Sequence, residues 1–186
     1  MDGQEAQELL HDKIMATPFV QDYVQYLVSD VCVGIEVLKD SGVREMLELV
    51  GPENSLTAKN QNPDSLRAIF GKDNLRNAVH ASETTESASR ESNIFFDTKK
   101  CLNSAILTNC SLLLIKPHII QNRQLGQIID LLLSQGGFEI SAMQMYHLNK
   151  ATSCEFFELY KGVMPEFNQM TDYVSTNGPV IALEIR

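Results

Sequence analysis

A histidine flanked by arginines, with a carboxylate at helical distance, is the arrangement in this sequence best able to do chemistry. His80 stands between Asn77-Ala78-Val79 and a serine-rich turn, with Arg67 and Arg76 upstream and Glu91 at the end of a polar stretch downstream. A neutral imidazole is a nucleophile near pH 7 and could attack a terminal phosphoryl group, dividing a transfer into two displacements through a phosphohistidine. That chemistry needs a carboxylate to keep the opposite ring nitrogen as N–H, and cations to match charge spread over the phosphoryl oxygens. A plainer reading makes His80 a hydrogen-bonded structural residue, and its sequence context leaves both open. Lys116, just after the apolar run Leu112 to Ile115, reads by itself as a strand-end lysine in solvent.

Other chemistries find little support in the sequence. Gly71-Lys72 lacks the glycine spacing of a phosphate-binding loop. His11, His80, His118 and His147 are too far apart for zinc spacing. Cys32, Cys101, Cys110 and Cys154 contain no CxxC pair and read as thiols of a reducing compartment. Met143, Met145 and Tyr146 read as strand residues packing a core. The 186 residues are 44% hydrophobic and 21% charged, with a net charge of −9. That balance argues against a nucleic-acid or anionic-membrane binder. No apolar run approaches the ~18 residues that span a bilayer, and Met1-Asp2-Gly3-Gln4-Glu5 opens no secretory signal. The expected class is a soluble, intracellular, cytoplasmic globular chain of one domain or slightly more.

The elements that would position these residues follow from periodicity. Residues 1–15 are polar and fray or form a helix, and an amphipathic helix is expected over 18–28 from Phe19, Tyr23, Tyr26 and Leu27. Residues 31–38, rich in Val and Ile, read as a strand. Ser41 is the expected cap of a helix carrying Val43, Met46, Leu47 and Val50, stopped at Gly51-Pro52. Residues 53–63 read as a loop, 64–70 as a short helix capped by Asp64 or Ser65, 71–76 as a turn, 77–80 as a short extended piece, 82–91 as a polar helix, and 97–110 as a connector. A buried strand is expected over 111–115, a helix over 125–134, a half-buried strand from Phe138 to Ala142, helices over 152–161 and 165–174, and a strand over 179–185.

Val31-Cys-Val-Gly-Ile-Glu-Val37 aligns with Pro179-Val-Ile-Ala-Leu-Glu-Ile185 at an offset of 148 residues (179 less 31). Phe19 and Phe167 share that offset, each near a preceding proline. So long a period means duplicated domains rather than a solenoid. The chain is only 38 residues longer than one period (186 less 148), so it enters one copy part-way and leaves the next part-way.

The stretch Leu66-Arg67-Ala-Ile-Phe70, Arg76-Asn77-Ala-Val-His80-Ala-Ser82, Glu86-Ser-Ala-Ser-Arg-Glu91 and Phe95-Phe96 resembles the back half of a nucleoside diphosphate kinase. Leu113-Leu-Ile-Lys116-Pro117, Gly126 and Gly137-Phe138-Glu-Ile140 resemble the front half. Ile115-Lys-Pro-His118, with His where most of the family has Asp, and Glu139 to Met145 are most like the tandem-module member associated with ciliary axonemes and gamma-tubulin. The resemblance implies an α+β fold, a ferredoxin-like βαββαβ antiparallel sheet with helices on one face. It implies phosphoryl transfer between nucleoside tri- and diphosphates, with His80 as nucleophile and Glu91 orienting it. Arg67 and Asn77 would contact phosphate and sugar, Lys116 would bind phosphate, and Mg2+ would arrive with the nucleotide.

Departures bear on activity. Ala81 replaces the glycine after the histidine, Leu47 stands where the family carries a phosphate-binding arginine, and His11 replaces a tyrosine. The loop 53–63 looks about three residues longer than usual, and Phe157 stands at the tyrosine position of the second copy. In this reading residues 1–100 are the back part of a first module, 101–110 a linker, and 111–186 the front part of a second. The two parts either close together as one permuted fold or need segments from elsewhere. The alternative function is a non-catalytic structural or interaction protein of ciliary, axonemal microtubules, partnered by tubulin rather than acting on nucleotides.

Overall fold

The computed structural model describes residues 1–11, 19–97 and 104–186; Pro18 and Cys101 lie outside them. The chain divides into two compact units, Met1–Cys101 and Leu102–Arg186.

The described residues of the first unit hold helices and no strand. Asp2 caps α1 (Gly3–Leu9), its carboxylate accepting the N–H groups of Gln4 and Glu5 while Glu5 accepts from Asp2 N–H. Ala6 and Leu10 pack on Val24 of α2 (Val20–Leu27) in a small buried cluster. α3 (Gly42–Val50) ends at Gly51, whose φ of 81° suits glycine and where a Cβ would collide with Ser65. Ser41 does not cap α3 as expected. It sits at φ 54° with no side-chain bond to the helix.

The expected loop at 53–63 is largely a helix, α4 (Ser55–Gln61). Asn54 Oδ1 accepts the N–H groups of Leu56 and Thr57 at 2.9 and 3.0 Å, and the small residues Ser55 and Ala58 are fully buried. α5 (Leu66–Phe70) follows, with the Ser65 hydroxyl donating to the Asn62 carbonyl rather than capping. α6 (Thr85–Phe96) is closed by a reciprocal Thr84–Ser87 box and packs against α1. Two segments expected to be extended depart from expectation here. Residues 31–38 run extended but join no ladder, since no described strand of the unit lies beside them. Residues 77–80 are irregular, turned by Ala78 at φ 76°.

The second unit is an antiparallel sheet with helices, as expected, but with three strands among the described residues rather than the four of βαββαβ, and with helices on both faces rather than one. β1 (Ser111–Ile115), β2 (Ile140–Tyr146) and β3 (Val180–Ile185) lie in the order β1-β3-β2. Leu113 and Met143 both pair with Leu183, and Ile115 and Met145 with Ile181. α7 (Pro117–Gln121) was not foreseen; Pro117 stands at its first position, where the missing N–H costs nothing. α8 (Leu125–Ser134), α9 (Lys150–Phe156), a 3-10 turn (Glu158–Tyr160) and α10 (Phe167–Thr176) complete the unit. One face of β3 packs Ile181 and Leu183 with Ile115, Ile119, Ile128 and Leu132. The other packs Val180 with Phe157, Phe167 and Val174. Fully burying a side chain such as Leu183 contributes about 1.5–3 kcal/mol. β1 is less buried than its apolar run suggested, because only Ile115 reaches the interior while Leu112 is exposed.

Residues ahead of β1 are held by Glu184. Its carboxylate accepts the N–H groups of Ile106 (2.7 Å) and Leu107 (2.9 Å) and the Ser141 hydroxyl (2.6 Å). These bonds, Ser141 first, hold its pKa down to about 2. Leu107 and Asn109 take left-handed φ of 61° and 50° in the loop so pinned.

Candidate active site

The serine-rich turn after His80 leads to Thr84, and α6 then carries Glu91 inward on the face that also buries Ser87 and Ile94. The result is a contact: His80 Nε2 lies 2.8 Å from Glu91 Oε2, and the Ser82 hydroxyl donates to the same oxygen at 2.6 Å. The Glu91 side chain is 9% exposed and the His80 ring 28%. Burial alone would raise the Glu91 pKa. The hydrogen bonds of His80 and Ser82, with Arg90 nearby, outweigh it and hold the carboxyl below its ordinary value. A carboxylate at Nε2 selects the tautomer with the proton there, leaving the Nδ1 lone pair for a nucleophile's role.

Arg67 lies in the same unit, 5% exposed, with Nε donating to the Val79 carbonyl at 3.1 Å and Nη1 to the Gly51 carbonyl at 2.9 Å. Asn77 Nδ2 donates to the Glu53 carbonyl at 3.3 Å. Arg67 and Asn77 therefore fasten the Gly51–Glu53 turn to the segment that presents His80. Burial lowers the Arg67 pKa, Glu53 and Glu83 oppose that effect, and the guanidinium stays charged.

A cleft of about 540 Å³ opens beside Arg67, lined by Leu47, Glu48, Gly51, Pro52, Glu53, Asn62 and Glu83. Leu47 faces this cleft, so the position where the resembled family carries an arginine is aliphatic at the cleft itself. Three carboxylates against one guanidinium make a lining that disfavours a bare polyphosphate and tolerates one carrying a cation. Among the described residues no three His, Cys, Asp or Glu side chains converge to hold a metal, and the hard oxygens of Glu48, Glu53 and Glu83 match Mg2+ only as an accompaniment to a ligand's own oxygens.

Of the residues singled out in the sequence, the first unit brings His80 and Glu91 into contact and ties Arg67 and Asn77 to the adjoining backbone. Lys116 belongs to the second unit, exposed between β1 and α7. Sequence reading missed Ser82 as a second donor to Glu91 and the acidic wall of the cleft. Ser82 carried no period or motif in the sequence that marked it as a donor to Glu91, because the segment from His80 to Thr84 is irregular.

The family profile described as nucleoside diphosphate kinase matches residues 1–101 and 109–186. "Nucleoside diphosphate kinase homolog 7" of Rattus norvegicus is 41% identical over 172 residues, covering 91% of this chain and 43% of the relative. "Nucleoside diphosphate kinase homolog 5" of Homo sapiens is 42% identical over 78 residues, 42% of this chain and 37% of the relative. The chain thus spans less than half the length of these relatives. A crystal structure of the Aquifex aeolicus nucleoside diphosphate kinase is similar with a TM-score of 0.46 and 26% identity, covering 55% of this chain and 72% of that one. With a profile match over most of its length, set on a histidine held by a buried glutamate, this chain belongs to the nucleoside diphosphate kinase family.

Proposed function

We propose that this chain accepts a phosphoryl group from a nucleoside triphosphate on His80 and passes it to a nucleoside diphosphate. The observation that carries the reading is the 2.8 Å contact of Glu91 with His80 Nε2. It orients the ring and leaves Nδ1 to attack the terminal phosphorus, breaking its bond to the leaving diphosphate oxygen. As the ring gains positive charge, the Glu91 carboxylate stabilises it and keeps the Nε2 proton. Arg67 and Asn77 shape the wall beside the phosphate path. Mg2+, bound with the nucleotide, would neutralise charge on the transferred group.

The reading includes a domain organisation. The back part of one module occupies 1–100, a linker 101–110 and the front part of a second module 111–186, with Lys116 as the phosphate lysine of the second. The internal offset of 148 residues supports it. Incubation with γ-labelled nucleoside triphosphate should give an acid-labile protein label that His80→Ala abolishes and Glu91→Gln slows by at least ~10²-fold. A label that survives His80→Ala would sink the proposal.

A second reading is favoured by Leu47 and the acidic lining of the cleft: a non-catalytic interaction protein of ciliary or axonemal microtubules, working in the cytoplasm. Absence of label together with co-sedimentation with microtubules would support it, and failure to co-sediment would remove it.

A further inference from the structure

The backbone that presents His80 is bent against the preference of its own sequence. Ala78 sits at φ 76°, in the left-handed region, inside a three-residue turn that the Val79 N–H closes by donating to the Asn77 carbonyl at 3.0 Å. Such a turn at a residue with a Cβ persists only where its surroundings over-determine it. Ala78 supplies no hold of its own, because it is exposed. The hold lies on either side. Before it, Asn77 Nδ2 donates to the Glu53 carbonyl at 3.3 Å; after it, Arg67 Nε donates at 3.1 Å to the Val79 carbonyl, whose carbon is bonded to the His80 nitrogen. Arg67 Nη1 donates to the Gly51 carbonyl at 2.9 Å. Both bonds are thus anchored on one turn, Gly51–Glu53, which also walls the cleft. Arg67 is buried, and its rigid fork of donors holds two carbonyls at once where a lysine presents a single nitrogen.

We infer that Arg67 and Asn77 are positioning residues: together they clamp the strained turn at Ala78 and so hold the His80 ring against Glu91. The effect on rate rests on His80 as the phosphoryl acceptor proposed above; the clamp itself does not. Without the clamp, Ala78 relaxes to negative φ, the Val79 carbonyl turns, and the ring is carried off the carboxylate that now lies 2.8 Å from Nε2. The fraction of molecules ready to attack then falls roughly 5- to 150-fold, the population ratio to which backbone strain of this kind corresponds. A glycine at 78 takes either sign of φ about equally, which makes the clamp nearly dispensable. Arg67 therefore acts on the rate of transfer through the backbone, and not on nucleotide affinity through its charge.

Two variants of the full chain test this, Arg67→Lys, which keeps the charge and removes the fork, and Asn77→Ala, each made with and without Ala78→Gly. Backbone carbon chemical shifts of Ala78 report the sign of φ. They should leave the left-handed range in Arg67→Lys, and partly in Asn77→Ala, while helical circular dichroism is unchanged. Labelling of Arg67→Lys by γ-labelled nucleoside triphosphate should slow at least ~5-fold at saturating nucleotide, with the half-saturating concentration unchanged. In the Ala78→Gly background the same substitution should cost about 2-fold or less. Left-handed Ala78 shifts retained in both variants overturn the clamp, whether or not any label forms. A raised half-saturating concentration at an unchanged limiting rate also overturns it, by assigning Arg67 to ligand contact, and so does a labelling loss that Ala78→Gly fails to relieve. Displaced Ala78 shifts with no label on the unsubstituted chain would defeat the phosphotransfer reading and leave the clamp standing.

Discussion

Ala78, two residues before His80, holds a φ of 76° that a Cβ disfavours. The Val79 N–H donates to the Asn77 carbonyl at 3.0 Å across it, so Ala78 is the centre of a γ-turn. That strained conformation costs an L-residue about 1–3 kcal/mol, whereas glycine adopts it at an entropic cost of about 0.5–1 kcal/mol. Ala78→Gly should therefore raise the urea-unfolding free energy by about 0.5–1 kcal/mol. If stability falls instead, the turn is not the strained feature described. The Glu91 carboxyl has a direction of its own: its folded pKa lies below the ordinary value, so its stabilisation is complete above about pH 4.3 and is lost as pH falls below that. At this scale the contact of His80 with Glu91 was legible through the family resemblance, which implied the pair; the residues alone left His80 open between a structural and a chemical role. Ser82 was read only as a turn residue. The carboxylates at 48, 53 and 83 gave no signal, since charges scattered along a chain converge only once the turn at Gly51 is folded against Asn77 and Arg67.

Elements were readable where apolar spacing was strong and not where small or polar residues carried the packing. α8 and β3 stand where expected because long aliphatic side chains set their period. α4 was hidden because its interior contact is made by Ser55 and Ala58, so no apolar stripe marks it. Its cap is the visible cue in hindsight: Asn54 closes two N–H groups at once. Asn54→Ala should cost about 1 kcal/mol, read as a lower Tm, while Asn54→Asp or Asn54→Ser should retain most of the stability. The failed strand at 31–38 has a different cause. Its residues have β propensity and alternation, yet a strand exists only by pairing, and propensity cannot report whether a partner is present. β3, nearly the same sequence pattern, is a strand because β1 and β2 flank it.

For the molecule as a whole, two units mean that unfolding need not be a single event, and each has its own sensitivity. Acid acts on the second unit through Glu184, which is 8% exposed. Its folded pKa of about 2 lies below the ordinary ~4.3, so the clasp on Ile106 and Leu107 is intact above that value and is lost as pH falls toward 2. The protection of the Ile106 and Leu107 amides relative to their intrinsic exchange rates should fall across that window, and Glu184→Gln should lower it already at neutral pH; unchanged protection in both would refute the clasp. The strand order β1-β3-β2 has a consequence in time. β1 and β2 share no ladder with each other, and the strand that joins them follows every other element of the unit in sequence. On the ribosome, the apolar edges of both outer strands must wait for residues 180–185 to emerge before either can close. Nascent chains halted before that point should therefore be protease-sensitive and chaperone-bound, whereas chains released past it should turn resistant in one step.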